Sequence, residues 1–84
     1  MSERDRIHWH CRRGLLELDL VLAAFVERRL DTLDGSEVAA FRKLLEYSDN
    51  DLFDLVMRRA ELVNDLECGP VLAALRETEA YAAS

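Results

Sequence analysis

The sequence predicts an all-α protein, a compact antiparallel bundle of five short helices in a single small domain over residues 1–84. Its 84 residues include three glycines and one proline, which leaves little material for the turns of a β-fold. Half of the residues are apolar and a third are charged, the balance of a globular chain. Apolar residues recur at steps of three and four, the period of amphipathic helices.

The first two helices are predicted over residues 4–13 and 15–31. Arg12 and Arg13 would occupy the last turn of the first helix, where cations suit the helix dipole, and Gly14 would end it in a left-handed conformation. We expect the second helix to be the central one. Its apolar stripe consists of Leu15, Leu18, Leu22, Phe25, Val26 and Leu30, widened by Leu16, Leu20 and Val21.

Capping signals mark the next two helices. Asp34 precedes Glu37 by three residues, the spacing of a capping box, and Val38, Phe41, Leu44 and Leu45 follow as the stripe of the third helix. Ser48 and Asp51 repeat that spacing for a fourth helix. Asp49 begins a segment that resembles the start of a calcium loop, but the Gly and Glu that such a loop needs are missing, so a helix cap is the better interpretation.

The C-terminal third is less clearly patterned. Residues 61–63 would either extend the fourth helix or join the loop that residues 64–69 indicate. Pro70 is well placed as the first residue of the last helix, because the N–H of a first-turn residue has no partner within the helix. Residues 82–84 are expected to fray.

Charge is distributed unevenly along the chain. The net charge of −6 argues against nucleic-acid binding, which needs a dominant cationic surface. The first fourteen residues nevertheless carry four arginines against two acids, a net charge of +2, and the remainder carries −8. Such a basic end can steer an acidic protein partner. The composition therefore favours a docking surface over a catalytic pocket.

Cellular location is predicted from the cysteines and the N-terminal stretch. Cys11 and Cys68 have no CxxC spacing, so we expect free thiols in a reducing compartment. The first residues are polar, and no apolar run reaches the ~18 residues of a membrane span or resembles a signal peptide. We expect a cytoplasmic protein that does not insert into membranes.

No motif for catalysis or metal binding is evident. The sequence lacks a glycine-rich phosphate loop, HExxH and GxSxG, so we expect no enzyme. His8 and His10 point to different sides of a helix, and His8 with Cys11 supplies two ligands at most. We therefore expect no metal site.

The segment Arg13-Gly14-x-x-Glu17 has two interpretations. In the structural one, Arg13 completes a helix end, Gly14 terminates it, and Glu17 favours the start of the next helix or pairs with Arg13. In the functional one, the segment is a docking site. Trp9 beside arginines has the composition of an interface hot spot, although a single tryptophan also suits a core.

Two longer segments carry a family resemblance. They are Arg6-Ile7-x-Trp9-x-Cys11-Arg12-Arg13-Gly14-x-x-Glu17-Leu18-Asp19 and Lys43-Leu44-Leu45-Glu46-x-x-Asp49-x-Asp51-Leu52-Phe53. In order and spacing, over roughly residues 6–60, the chain resembles the small flavinylation-factor family of succinate dehydrogenase assembly factors. That family often has a tryptophan shortly after the Asp-Leu-Phe segment, where this chain has Leu55 and Val56.

The resemblance implies a five-helix domain that is not an enzyme. It would bind the flavoprotein subunit of succinate dehydrogenase or fumarate reductase and promote covalent attachment of FAD to a histidine of that subunit. Its partner-binding residues would be Arg13, Gly14 and Glu17, and we add Arg6, Trp9 and Arg12.

The FAD would belong to the partner, because no dinucleotide fingerprint indicates a stably bound cofactor here. We expect a monomer. The alternatives are an antitoxin-like soluble partner of a small membrane protein and a helical adaptor with no connection to flavin.

Overall fold

Five α-helices and two short 3-10 turns, joined by tight loops, form the protein in the computed structural model, which describes residues 2–83 and the side chains of residues 2–81. The helices are α1 (Glu3–His10), α2 (Leu16–Arg29), α3 (Gly35–Leu44), α4 (Asp49–Val56) and α5 (Gly69–Ala83). The 3-10 turns span Leu30–Thr32 and Leu66–Cys68. The predicted fold class is confirmed.

Helix α1 is shorter than predicted. It begins with a capping box in which the Ser2 hydroxyl accepts from the N–H of Asp5, and the Asp5 carboxylate accepts from the N–H of Ser2. It ends at His10, with Cys11 as the C-cap. The prediction that the helix reached residue 13 is wrong, because the chain leaves the helix to enter a turn that is held by contacts from later in the sequence.

Helix α5 is the hub of the bundle. It packs against α2, α3 and α4, and α2 makes most of its helix contacts with α5. The expectation that α2 is central is therefore wrong. The reason lies in the buried face of α5, which is wide enough to serve three neighbours and includes Val71, Leu72, Ala74, Leu75 and Thr78.

The stripe of α2 is narrower than predicted. Leu18, Leu22 and Phe25 are completely buried, as the helical period indicates. Leu16 and Leu20 are 72% and 58% exposed, because residues two positions from Leu18 lie about 200° around the helix from it. These two leucines do not widen the core.

The capping signals of α3 and α4 are confirmed. Asp34 accepts from the N–H of Glu37 at 2.8 Å in a full capping box, and Ser48 accepts from the N–H of Asp51 at 3.2 Å. Helix α4 stops at Val56. Residues 61–63 lie outside it, which excludes the alternative that they extend the fourth helix.

The last helix begins close to the predicted position. Gly69 is its first residue and Pro70 its second. Residues 82 and 83 belong to this helix and residue 84 lies outside the described part of the chain, so the expected fraying stays a prediction.

The core is continuous across the helices. The rings of Phe25 on α2 and Phe41 on α3 lie 4.9 Å apart between centroids, tilted by 50°, a favourable geometry for an aromatic pair. Cys11 and Cys68 are buried within the same core as free thiols. None of the helices within residues 2–83 is both long and apolar enough to cross a lipid bilayer.

Candidate partner-binding surface

The side chain of Arg13 is an internal anchor. It is 12% exposed, and its Nε donates to a carboxylate oxygen of Asp49 at 2.7 Å. Nη1 donates to the carbonyl of Leu45 at 2.8 Å and to that of His10 at 3.3 Å. Nη2 donates to the carbonyl of Tyr47. All three guanidinium nitrogens are therefore engaged within the protein.

These contacts join three parts of the fold. The carbonyls at the end of a helix have no partner within it and must find donors elsewhere. Arg13 supplies donors to the carbonyl of His10 at the end of α1 and to two carbonyls just after α3, and its ion pair with Asp49 reaches the start of α4. The ion pair of Arg13 with Glu17 considered from the sequence is wrong, because the carboxylate partner of Arg13 is Asp49.

Asp19 holds the turn that carries the motif. One of its carboxylate oxygens accepts from the N–H of Arg13 at 2.9 Å, and the other accepts from the N–H of Gly14 at 3.0 Å. Gly14 has a φ of +85°, which confirms the predicted left-handed conformation. It lies beyond the C-cap residue Cys11, however, so it belongs to this clipped turn and does not directly terminate α1.

Gly14 faces open space. A Cβ placed on it would meet nothing within 4 Å. A side chain at this position would therefore be disfavoured by the backbone conformation, with no clash inside the protein. The open side of the turn leaves room for a partner's surface to approach the backbone.

Glu17 and Trp9 are the exposed members of the predicted set that flank this turn. Glu17 lies in the first turn of α2, as predicted, and its side chain makes no hydrogen bond or ion pair with any residue that the structure describes. Trp9 is 68% exposed on α1, so its side chain is not part of the core. Arg12, beyond the end of α1, is also exposed.

Two neighbouring depressions contain most of the predicted set. A shallow one of about 220 Å³ brings together Trp9, Arg12 and Arg13, with His10, Leu45 and Asp49. Arg6 lines a larger groove of about 460 Å³ between α1 and α3. Gly14 and Glu17 lie on the adjoining turn, and line neither depression.

The cysteine of the motif segment is a packing residue. Burial raises the pKa of the Cys11 thiol to about 12, against a smaller lowering by the nearby Arg13 guanidinium. The thiol is therefore protonated at neutral pH. A buried, protonated thiol is a poor nucleophile and behaves as a small apolar side chain.

From the sequence, no role was predicted for Asp19, and Asp49 was predicted only as part of a helix cap. Both belong to the site, since Asp19 clips the backbone of the turn and Asp49 pairs with Arg13. A signal for Asp19 was available, because an acid in the first turn after a glycine can accept from the preceding backbone N–H groups. The Arg13–Asp49 pair spans 36 residues and leaves no local signal.

The chain matches a family model described as "Flavinator of succinate dehydrogenase" over residues 5–79. The match therefore includes the turn at Gly14 and its neighbours, and nearly all of the five helices.

Similar proteins carry a consistent name. The FAD assembly factor SdhE of Pseudomonas aeruginosa is 48% identical over 60 residues, which are 71% of this chain and 71% of that protein. The protein of the same name from Legionella pneumophila is 41% identical over 64 residues, 76% of this chain and 81% of its own length. That from Vibrio parahaemolyticus is 51% identical over 56 residues, 67% and 65% of the two chains. This chain belongs to the family of succinate dehydrogenase flavinators.

Proposed function

We propose that this protein is an assembly factor that binds the flavoprotein subunit of succinate dehydrogenase or fumarate reductase and promotes covalent attachment of FAD to it. The observation that carries the proposal is the turn at Gly14. Its conformation is held by the Asp19 carboxylate and by the internal contacts of the Arg13 side chain, and exposed Glu17 and Trp9 flank it. Membership of a family described as flavinators of succinate dehydrogenase supports this choice of partner.

The geometry divides the motif between two roles. Arg13 shapes the turn through its side chain and is not available to the partner's acidic groups, since its nitrogens are engaged internally. Within residues 2–81, no hydrogen bond or ion pair competes for the Glu17 carboxylate, which can therefore meet a donor on the partner. A carboxylate that accepts hydrogen bonds across an interface can contribute more than a neutral acceptor.

The protein acts by positioning. Covalent flavinylation needs the partner's histidine held close to the flavin methyl carbon, and holding two reacting groups in place can contribute up to about 7–11 kcal/mol to a reaction. A small helical domain with a rigid turn is suited to fix the flavoprotein in such an arrangement. In this account the chain is a monomer, is not an enzyme, and leaves the FAD with its partner.

The three relatives described above are all named as FAD assembly factors. The interpretation as an antitoxin-like partner of a membrane protein is therefore not favoured.

In-gel flavin fluorescence tests the proposal. The succinate dehydrogenase flavoprotein would be produced with and without this chain, denatured, and examined under ultraviolet light. We expect a fluorescent band that depends on the chain and is lost with Gly14→Arg, which places a bulky cation on the open side of the turn. A band of equal brightness without the chain would refute the proposed function.

A further inference from the structure

The groove between α1 and α3 has a volume of about 460 Å³. Its apolar lining residues are Ile7 and Leu45, which are buried, and Ala39, which is exposed. The groove is open to solvent. Small-molecule sites usually enclose 70–90% of their ligand, so an open groove of this kind suits a segment of another protein better.

The walls of the groove are cationic. Arg6, Arg42 and Lys43 line it together with a single acid, Glu46, which gives a net charge of +2 with the histidine neutral. The whole chain carries −6. This concentration of positive charge on an acidic protein is complementary to an acidic ligand and unfavourable for a basic one.

Two of the three wall cations, Arg6 and Arg42, are available for exchange, whereas Lys43 is paired with Glu67 at 2.5 Å and with Asp65 at 3.4 Å. Arg42 pairs with Glu3 at 3.0 Å, but both side chains are more than half exposed. Ion pairs at that exposure are weak and can be replaced by a partner's carboxylate at little cost. Arg6 has no ion pair with any of the residues described.

The groove is continuous with the surface at the motif. His10 and Leu45 line both the groove and the smaller depression that contains Trp9 and Arg13. A segment that lay in the groove would therefore extend beyond it to the exposed tryptophan.

We propose that the α1–α3 groove binds an acidic peptide segment of the flavoprotein, with an apolar side chain against Ile7 and Ala39 and carboxylates against Arg6 and Arg42. This inference rests on the proposed function and adds the chemistry of the segment that is recognised. The segment orients the partner, while the turn at Gly14 forms the adjoining contact.

Substitutions at two positions test the two properties of the groove. Arg42→Glu reverses a wall charge at an exposed position, and Arg42→Gln is a milder form of the same change. Ala39→Phe fills the groove from an exposed position on α3 and leaves the charge unchanged. Arg29→Glu is the matched control, because Arg29 is exposed at the end of α2 and lines neither depression. Circular dichroism would establish that each variant is folded.

The affinity of each purified variant for the flavoprotein would be measured by calorimetry at low and high salt. We expect Arg42→Glu to bind at least about tenfold more weakly at low salt, and by a smaller factor at high salt because salt screens exposed charges. Ala39→Phe should weaken binding by a similar factor at both salt concentrations. Arg29→Glu should bind as the wild type does.

Failure of this inference is distinguishable from failure of the proposed function. Wild-type affinity in Arg42→Glu and Ala39→Phe, with a flavin band that still depends on the chain, would overturn the groove proposal and leave the assembly-factor role intact. A wild-type chain that neither binds the flavoprotein nor raises its flavin content would overturn both. FAD alone would also be titrated against the chain. If FAD bound in the groove with micromolar affinity, the ligand of the groove would be a small anion and not a peptide, and the proposal would be overturned.

Discussion

Every guanidinium nitrogen of Arg13 donates a hydrogen bond within the protein. The planar group with its fixed fork of donors reaches one carboxylate and three carbonyls that belong to different segments. A lysine in its place would present a single nitrogen on a flexible chain and could satisfy only part of this set. The motif arginine is therefore a structural residue on which an exposed surface depends.

Arg13→Lys tests this role. Leaving part-buried carbonyls and one carboxylate with fewer donors costs up to roughly 1–3 kcal/mol for each group left unsatisfied, so we expect the free energy of unfolding to fall by about 2–4 kcal/mol in urea denaturation. Arg12→Lys is the matched control, since Arg12 is exposed and adjacent, and should change the free energy by less than about 0.5 kcal/mol. Equal stabilities of the two variants would contradict the anchor role.

Gly14 provides a left-handed backbone conformation and leaves space for a partner, and two substitutions distinguish these properties. Its φ of +85° disfavours alanine by about 1 kcal/mol or more, whereas asparagine tolerates the left-handed region better. We expect Gly14→Ala to be less stable than Gly14→Asn in urea. If the partner approaches the backbone here, the larger asparagine should nevertheless reduce the flavin yield more than alanine does. A flavin yield that simply followed stability would show that the glycine matters for conformation alone.

The turn between α1 and α2 depends on a carboxylate that follows it. Asp19 accepts from two successive backbone N–H groups, those of Arg13 and Gly14, although it lies on α2. Those donors would otherwise lack a protein partner at the end of the turn. The turn is therefore held by two side chains, those of Arg13 and of Asp19.

Asp19→Ala should destabilise the protein by about 1–3 kcal/mol, because both N–H groups lose a charged acceptor. Asp19→Asn retains one acceptor oxygen and should lose less. Urea denaturation gives the free energies, and amide hydrogen exchange at Arg13 and Gly14 gives the local effect. Unchanged exchange at these two amides in Asp19→Ala would contradict the clip.

A polar network joins α3 and the residues just after it to the loop before α5. The hydroxyl of Tyr47 donates to Asp65 at 2.6 Å, and Lys43 lies 2.5 Å from Glu67 and 3.4 Å from Asp65. The hydrogen bond from Tyr47 lowers the pKa of Asp65, and that from Lys43 lowers the pKa of Glu67. The hydrogen bond to Asp65 raises the pKa of Tyr47 to about 12. The hydrogen bond to Glu67 raises the pKa of Lys43 to about 12.

This network predicts a pH window of stability. The pKa values of Asp65 and Glu67 are lower in the folded protein than in the unfolded chain, where they are near 4. Both carboxylates therefore stabilise the fold fully above that pH, and this stabilisation is lost as the pH falls further. The raised pKa of Tyr47 contributes stability that is complete below pH 10.0 and is lost as pH rises towards about 12. We therefore expect the urea midpoint to fall at both extremes.

Tyr47→Phe isolates the alkaline side of that window. It removes the titrating phenol, so the decline above pH 10 should be smaller than in the wild type, with a remainder from Lys43 and from the buried thiol of Cys11. Urea midpoints between pH 8 and pH 11.5 would be compared. An identical alkaline decline in the variant and the wild type would contradict the network.

At the scale of the whole molecule, local signals predicted the helices and long-range contacts set their limits. The caps at Asp34 and Ser48 were predictable because the cap and its N–H donor lie three residues apart. The end of α1 was not, because the turn that follows it depends on Asp19 and, through Arg13, on Asp49. The central place of α5 follows from packing between helices, which the period of one helix does not specify.

The candidate site was predictable to a similar extent. The motif indicated Arg13, Gly14 and Glu17 together, and the structure has them on one turn and the helix start that follows. Their division into an anchor and an exposed acid could not be read from spacing, because the partner of Arg13 is 36 residues away. The groove beside α1 likewise requires α3 to be placed against it.

The central claim is that Arg13 builds the surface and Glu17 meets the partner. The most direct measurement is the flavin fluorescence of the flavoprotein produced with Glu17→Ala, beside the unfolding free energy of that variant. The Glu17 side chain has no hydrogen bond or ion pair with the residues described, so stability should change by less than about 0.5 kcal/mol. The flavin yield should fall at least about tenfold, the loss expected for one charged hydrogen bond of about 1.5–3 kcal/mol. A wild-type yield from the Glu17→Ala protein would contradict the account.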